Sequence, residues 1–222
     1  MDSFGPVLDA ILRHFGSDSA RQRVRLFSRC ARQAEAWFKG EVMTVLEDSK
    51  SKKLFDEWQA EVTYASEDAS GRSKCDFVLR KEDKLTGLEV KTACVGRQTK
   101  RFMRNGGFEE GETQQWDLNF TASAGMTHGK VAGVASDAMR LLDNRHLSEK
   151  YCLVFAYGDP SFKTPRGQHT FKDQVEAFPV TVNGILAEKA KVEAVIKGSE
   201  GCISLGDDGL ILHVIPLRVL HP

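Results

Sequence analysis

The chain has 222 residues, 41% of them apolar and 28% charged, and its 31 basic and 31 acidic side chains leave no formal net charge. This is the composition of a soluble chain long enough for one domain with a substantial core. It excludes a binder that works by bulk charge, so any nucleic-acid contact must come from a local patch; no apolar run approaches the roughly 20 residues of a membrane helix.

MDSFGPVLDAILRHFG, residues 1–16, reads as a short amphipathic helix closed at Gly16, with Asp9 inside its apolar part. It has neither the basic start nor the cleavage site of a signal peptide. Ser17-Asp18-Ser19 offers an N-cap for a long helix to about Glu47. The apolar row of that helix runs Phe27, Ala31, Ala34, Phe38, Val45, and its spacing assigns position 41, a glutamate, to the same row. Residues 58–66 alternate, with Trp58, Ala60, Val62 and Tyr64 against Gln59, Glu61 and Thr63, as in a half-buried strand. ASEDASGRS is a polar turn. CDFVLR (75–80) and KLTGLEVKTA (84–93) are two further strands joined by a tight Glu82-Asp83 turn. GRQTKRFMRNGGFEEGETQQ, with its glycines and mixed charges, predicts a loop or irregular insertion. Residues 129–143 read as a helix and YCLVFAYG (151–158) as a central strand. Residues 170–198 are expected to be helix broken by Pro179 and Gly184; GLILHVIPLRVL (209–220) is a last strand, with Pro216 marking an edge or a bulge.

Five cysteines (Cys30, Cys75, Cys94, Cys152, Cys202) form no CxxC pair, which predicts reduced, buried thiols in a cytoplasmic protein and no structural zinc. The GxxxxGK[ST] phosphate loop is absent, and the six histidines form no metal-ligand pair such as HxxxH. His213 lies in an apolar strand and reads as a core residue.

The hairpin carries the chemistry. If Glu82-Asp83 is a two-residue turn, Lys81 faces Lys84, Val78 faces Gly87 and Asp76 faces Glu89. Two carboxylates then sit across a strand pair with β-carbons roughly 5 Å apart, an arrangement that destabilises a sheet unless it is neutralised. A shared proton, Lys91, or a bridging divalent cation can each do so; hard oxygen ligands suit magnesium or manganese. Cys75, Phe77, Leu79, Leu88 and Val90 form the opposite, core face, which leaves the acidic face outward. Glu41, in the apolar helix row, needs a partner or a metal. Glu35 sits beside Ser28, Arg32 and Lys39 on a polar face and reads as a solvated charge. Glu41, Asp76, Glu89 and Lys91 thus form the converging set.

A helix glutamate, then an aspartate, then Glu-x-Lys across a hairpin resembles the PD-(D/E)XK nuclease superfamily, although Cys75 stands where the name-giving pattern has proline. The resemblance implies a single α/β domain over residues 1–222. Its restriction-endonuclease-like core (helix, three-stranded meander, helix, strand) would fill about 20–158, with an N-terminal helix at 1–16 and a C-terminal elaboration at 159–222. It further implies a magnesium-dependent nuclease, DNA being favoured over RNA as substrate. Asp76 and Glu89 would be metal ligands, Glu41 a supporting ligand and Lys91 the catalytic lysine, which stabilises charge on the phosphate or transfers a proton. Homodimers are common in the class, since duplex cleavage needs two sites. Arg97, Lys100, Arg101 and Arg104 follow the site strand and are placed to contact phosphates, against the plainer reading of a loop neutralised by Glu109, Glu110 and Glu112. The alternative is a catalytically silent nucleic-acid-binding or interaction module of the same fold.

Overall fold

The computed structural model describes residues 4–27, 34–65, 72–104, 107–116, 133–161, 170–196, 198–206 and 209–222, with the backbone alone described for 27, 65, 72, 73, 94, 96–104, 107–116, 198 and 199. Among the described residues there are five helices, and the fold is mixed α/β around an open mixed sheet of seven strands, to which an eighth is joined by pairing with one of them. No helix among them is long and apolar enough to cross a membrane.

Helix α1 spans Gly5–Gly16 and buries Val7, Leu8, Ile11 and Phe15 along one stripe. The expected single helix after Ser17 is two: α2, Asp18–Phe27, and α3, Ala34–Ser51. The buried residues of α3 are Ala34, Phe38, Val42, Val45, Leu46 and Ser49. The apolar row therefore steps from Phe38 to Val42, not to Glu41. A step of four from Phe38 keeps within the stripe that a 3.6-residue period lays down, and it leaves Glu41 on the stripe's flank.

The strands are β1 (Glu57–Ala65), β2 (Arg72–Lys81), β3 (Lys84–Arg104), β4 (Gly107–Trp116), β5 (Glu149–Gly158), β6 (Lys191–Ala194), β7 (Cys202–Ser204) and β8 (Ile211–Leu220). β1, β2 and β3 form an antiparallel meander. Helix α4, Gly133–Asp143, precedes β5, which pairs with β3 in parallel over Thr86–Val95. β8 is antiparallel to β5 and carries β6 and β7 in succession along its other edge. Pro216 thus lies inside the sheet, paired with Leu153. It is tolerated because it falls between the β6 and β7 segments, where its carbonyl accepts from Val195 N at 2.9 Å and no neighbouring strand needs its missing N–H.

The expected loop at 96–115 is instead a hairpin: the outer part of β3 pairs with β4, from Gly96–Trp116 to Arg104–Gly107. A run of mixed charges and glycines with few apolar residues shows no alternation to read. Helix α5, Phe171–Leu186, likewise runs unbroken through Pro179. Its capping box at Thr170 and Asp173 and its buried row of Phe171, Val175, Phe178, Val182 and Leu186 outweigh the roughly 3 kcal/mol that an internal proline costs.

One core lies between the sheet and α1–α3, with Phe15, Phe38, Phe77, Leu88, Val90 and Phe155 at its centre. The other lies between the sheet and α4–α5 and includes Cys75, Ala135, Leu141, Val154 and Phe178. Both faces of β3 are therefore covered. Gly87 allows the second cover to come close: a β-carbon there would stand 2.4 Å from Leu147 Cδ1 and 3.2 Å from Leu141 Cδ2. Cys75 and Cys152 are buried free thiols as expected, whereas the Cys202 thiol is exposed.

Candidate functional site

Paired residues of β2 and β3 run from Lys81–Lys84 to Phe77–Leu88, the register that the Glu82-Asp83 turn dictates. The ladder ends there. β2 continues along β1 to Arg72, and β3 continues along β5 to Val95. The two strands part at Asp76 and Glu89, and side-chain chemistry replaces the backbone ladder. Asp76 Oδ2 accepts from Val90 N at 2.8 Å, and the Asp76 carboxylate lies close enough to raise the pKa of the Glu89 carboxyl.

α3 contributes from one side. Glu35 and Lys39, four residues apart, share a helix face. Lys39 Nζ lies 2.7 Å from Asp76 Oδ1 and 3.1 Å from Glu35 Oε1. α4 contributes from the other side with Asp137 and Arg140, which are ion-paired with each other. Asp137 Oδ2 lies 3.3 Å from Lys91 Nζ, and Lys91 Nζ lies 3.6 Å from Glu35 Oε1. Arg140 Nη2 lies 3.6 Å from Glu89 Oε1, and the Arg140 carbonyl accepts from Tyr64 Oη at 2.7 Å. The acidic face is thus not turned outward. α4 covers it, and Glu89 and Asp137 are only 2% and 4% exposed.

The cluster holds four acids (Glu35, Asp76, Glu89, Asp137) and three bases (Lys39, Lys91, Arg140). Burial, followed by the Asp137 and Asp76 carboxylates, pushes the Glu89 carboxyl up to about 9, with Arg140 offsetting part of the effect. The folded, metal-free chain therefore favours the protonated form of Glu89. Burial also raises the Asp137 carboxyl, although Lys91 and Arg140 oppose it. Burial works against the Lys91 ammonium, but Asp137 and Glu35 more than compensate and hold it above its ordinary value. Burial, helped by Glu89, pushes the Cys75 thiol up to about 12, which makes it inert.

Glu41 is not in this cluster. A 3.6-residue period sets it about 120° around α3 from Glu35. It is bound at the α1–α2–α3 junction instead: Arg23 Nε donates to Oε1 at 2.8 Å, Arg23 Nη2 to Oε2 at 2.8 Å, and His14 Nε2 is 2.5 Å from Oε2. Burial favours the protonated form of Glu41, but the hydrogen bonds from Arg23 and His14 outweigh it and hold the carboxyl below its usual range. The burial argument correctly gave Glu41 a partner, but the partner is structural. Glu35, read as a solvated charge, is the α3 acid at the site. Asp137 and Arg140 escaped the sequence reading, although an aspartate three residues after Val134 and four before Leu141 breaks an apolar helix face as Glu41 was thought to do. For Arg97, Lys100, Arg101 and Arg104 the backbone places all four on the outer part of β3, with Arg97 paired to Gln115, Arg101 to Glu110 and Arg104 to Gly107. Their side chains lie outside the described part.

The donor set can be tested for a divalent cation. Glu89 Oε1 is a buried carboxylate oxygen with no hydrogen-bond partner among the described residues, whereas Asp137 Oδ2 has the Lys91 ammonium at 3.3 Å. An unpartnered oxygen of this kind is costly unless a cation satisfies it. Among the described residues no set of three or more His, Cys, Asp or Glu side chains is drawn together as a metal cage. Magnesium does not need one, since it commonly takes one or two carboxylates and fills its shell with water and phosphate oxygens. Asp76 and Glu89 fit it in that mode. Compared with family models, with characterised proteins and with solved structures, the chain gives no match.

Proposed function

We propose that the chain is a magnesium-dependent nuclease of the restriction-endonuclease-like class, acting on DNA. The observation that carries this reading is the set of Asp76, Glu89 and Lys91 at the point where β2 and β3 part, with Glu89 Oε1 buried and unpartnered among the described residues and Lys91 held charged by Asp137 and Glu35. The element order supports it: α3, the β1–β2–β3 meander, α4 and parallel β5 follow the core order of that superfamily.

Asp76 and Glu89 would hold the ion, which when bound supplies Lewis-acid chemistry towards a phosphoryl oxygen and the attacking water. Glu89 would release its proton on binding, because a carboxylate must be ionised to ligate. Lys91 stands between Glu35 and Asp137, two carboxylates that keep it protonated. It is therefore suited to stabilise charge growing on the transferring phosphate rather than to take a proton from water. Asp137 restrains the ammonium, and Glu35 occupies the place expected for the helix acid.

The second reading, a catalytically silent module, draws support from Lys39 and Arg140, which already neutralise the carboxylates from within. Thermal melts in EDTA and in magnesium separate the two. A ligand that binds the native state alone raises its stability, by about 2.7 kcal/mol at one hundred times Kd. The nuclease reading expects a rise in Tm that Asp76→Ala abolishes; an identical Tm in EDTA and in millimolar magnesium or manganese would favour the silent module.

A further inference from the structure

Arg140 is more than the counter-ion of Asp137. Its guanidinium has five N–H groups in a planar fork. One nitrogen, Nη2, is committed to Asp137. The same nitrogen is 3.6 Å from Glu89 Oε1, too long for a hydrogen bond, so Glu89 does not use the fork. Nε has no hydrogen-bond partner among the described residues. Yet 39% of the side chain is exposed, while Asp137 beneath it is 4% exposed. The arginine thus emerges from a buried acidic base: Nε stays inside, and the exposed part of the side chain lies at the guanidinium beyond it, where Asp137 is the only hydrogen-bonded partner among the described residues. Two ties fix where it emerges: the Asp137 carboxylate at its head, and Tyr64 Oη, which donates to its carbonyl at 2.7 Å. Lys39 and Lys91, by contrast, are each held between two carboxylates of the same cluster.

We propose that Arg140 is a substrate-contacting residue that binds a non-bridging phosphate oxygen of nucleic acid beside Glu89, and that Asp137 positions it. This rests on the nuclease reading and adds to it a phosphate contact supplied by α4. An arginine fork matches two phosphate oxygens at once and is the strongest common anion contact. A phosphate arriving at Asp76 and Glu89 brings its own negative charge into a cluster of four acids. Beside Lys91, Arg140 is a second cation there with donors to receive it. The bond is electrostatic, so binding at this point releases counterions and carries a salt dependence.

The test is binding of a fluorescent DNA duplex across a potassium chloride series, read by anisotropy, with calcium as a hard cation of similar oxygen preference. Cutting in magnesium is followed in parallel. Arg140→Gln is expected to weaken binding about tenfold and to flatten the slope of log K against log salt by about 0.9, one phosphate contact. Arg140→Lys keeps the charge and loses the fork, so it should keep the slope and bind several-fold more weakly. Asp137→Asn should lose affinity in the same direction with the slope kept. A merely structural arginine would lower Tm in the Gln variant and leave affinity and slope unchanged in the protein that remains folded. If Arg140→Gln does not fold, Arg140→Lys decides alone: native affinity overturns the proposal. If the native chain binds and cuts while both variants bind as it does, Arg140 is excluded and the nuclease reading stands. If the native chain neither binds nor cuts DNA, both fall.

Discussion

Lys39 Nζ is 2.7 Å from Asp76 Oδ1, so the ammonium of α3 stands where a cation is needed between α3 and β2. Burial works against that charge, yet the hydrogen bond to Asp76 and the nearby Glu35 raise its pKa overall. In the proposed reading, Lys39 would stand in for part of the charge that a bound metal brings. Lys39→Met should destabilise the metal-free chain by about 1–3 kcal/mol, because it strands a buried acid. Magnesium should restore more of Tm in the variant than in the native chain. Equal magnesium shifts in the two proteins would show that Lys39 and the ion do not share a task.

Glu89 makes the metal-free fold sensitive to base. Its carboxyl is pushed up to about 9 from an ordinary 4.5, so between those values the folded state binds more protons than the unfolded one. Stability from this group is therefore complete below pH 4.5 and is lost as pH rises towards 9. In EDTA, the native chain should lose on the order of 1–3 kcal/mol between pH 6 and pH 8 relative to Glu89→Gln, which has no proton to release. Urea melts of both proteins at the two pH values read this difference. A constant gap between the proteins at both values would show that Glu89 is already ionised.

Glu41 gives the opposite pattern. It joins α1, α2 and α3 through His14 and Arg23 and touches none of the site residues. Glu41→Gln should lower Tm by weakening a part-buried charged hydrogen-bond set, at a cost of about 1–3 kcal/mol. The magnesium-induced rise should survive intact. Loss of that rise in Glu41→Gln would restore Glu41 to the ligand set and remove the structural role assigned to it.

The parts of this arrangement that local rules govern could be read in advance. A two-residue turn at Glu82-Asp83 dictates which residues face each other down to Phe77 and Leu88, so Asp76 and Glu89 were predictable neighbours, although the ladder ends before them. The helix positions were harder, because one residue's difference in the row turns a side chain about 100°. Val42 and Glu41 both sit near an apolar stripe, and only the packing of α1 and α2 on α3 decides between them. Asp137 and Arg140 depend on how closely α4 approaches β3, which the bare α-carbon of Gly87 makes possible. The hairpin of residues 96–116, the two short strands β6 and β7, and the passage of α5 through Pro179 are set by tertiary pairing and burial, which no local pattern announces. Pro216 was read from its missing donor, but the gap between β6 and β7 is a property of the whole sheet.

The central claim is that Asp76, Glu89 and Lys91 form a hydrolytic site. The most direct measurement is conversion of a supercoiled plasmid to nicked and linear forms in magnesium, manganese and EDTA, with linear duplex, single strands, branched junctions and RNA alongside. Lys91→Ala and Glu89→Gln are run as paired controls. Metal-dependent cutting by the native chain is expected, absent in EDTA and reduced at least about a hundredfold in each variant, consistent with the loss of one electrostatic contact to the transition state. Cutting that persists in Lys91→Ala at the native rate, or no cutting of any substrate together with no magnesium-linked rise in Tm, would contradict it.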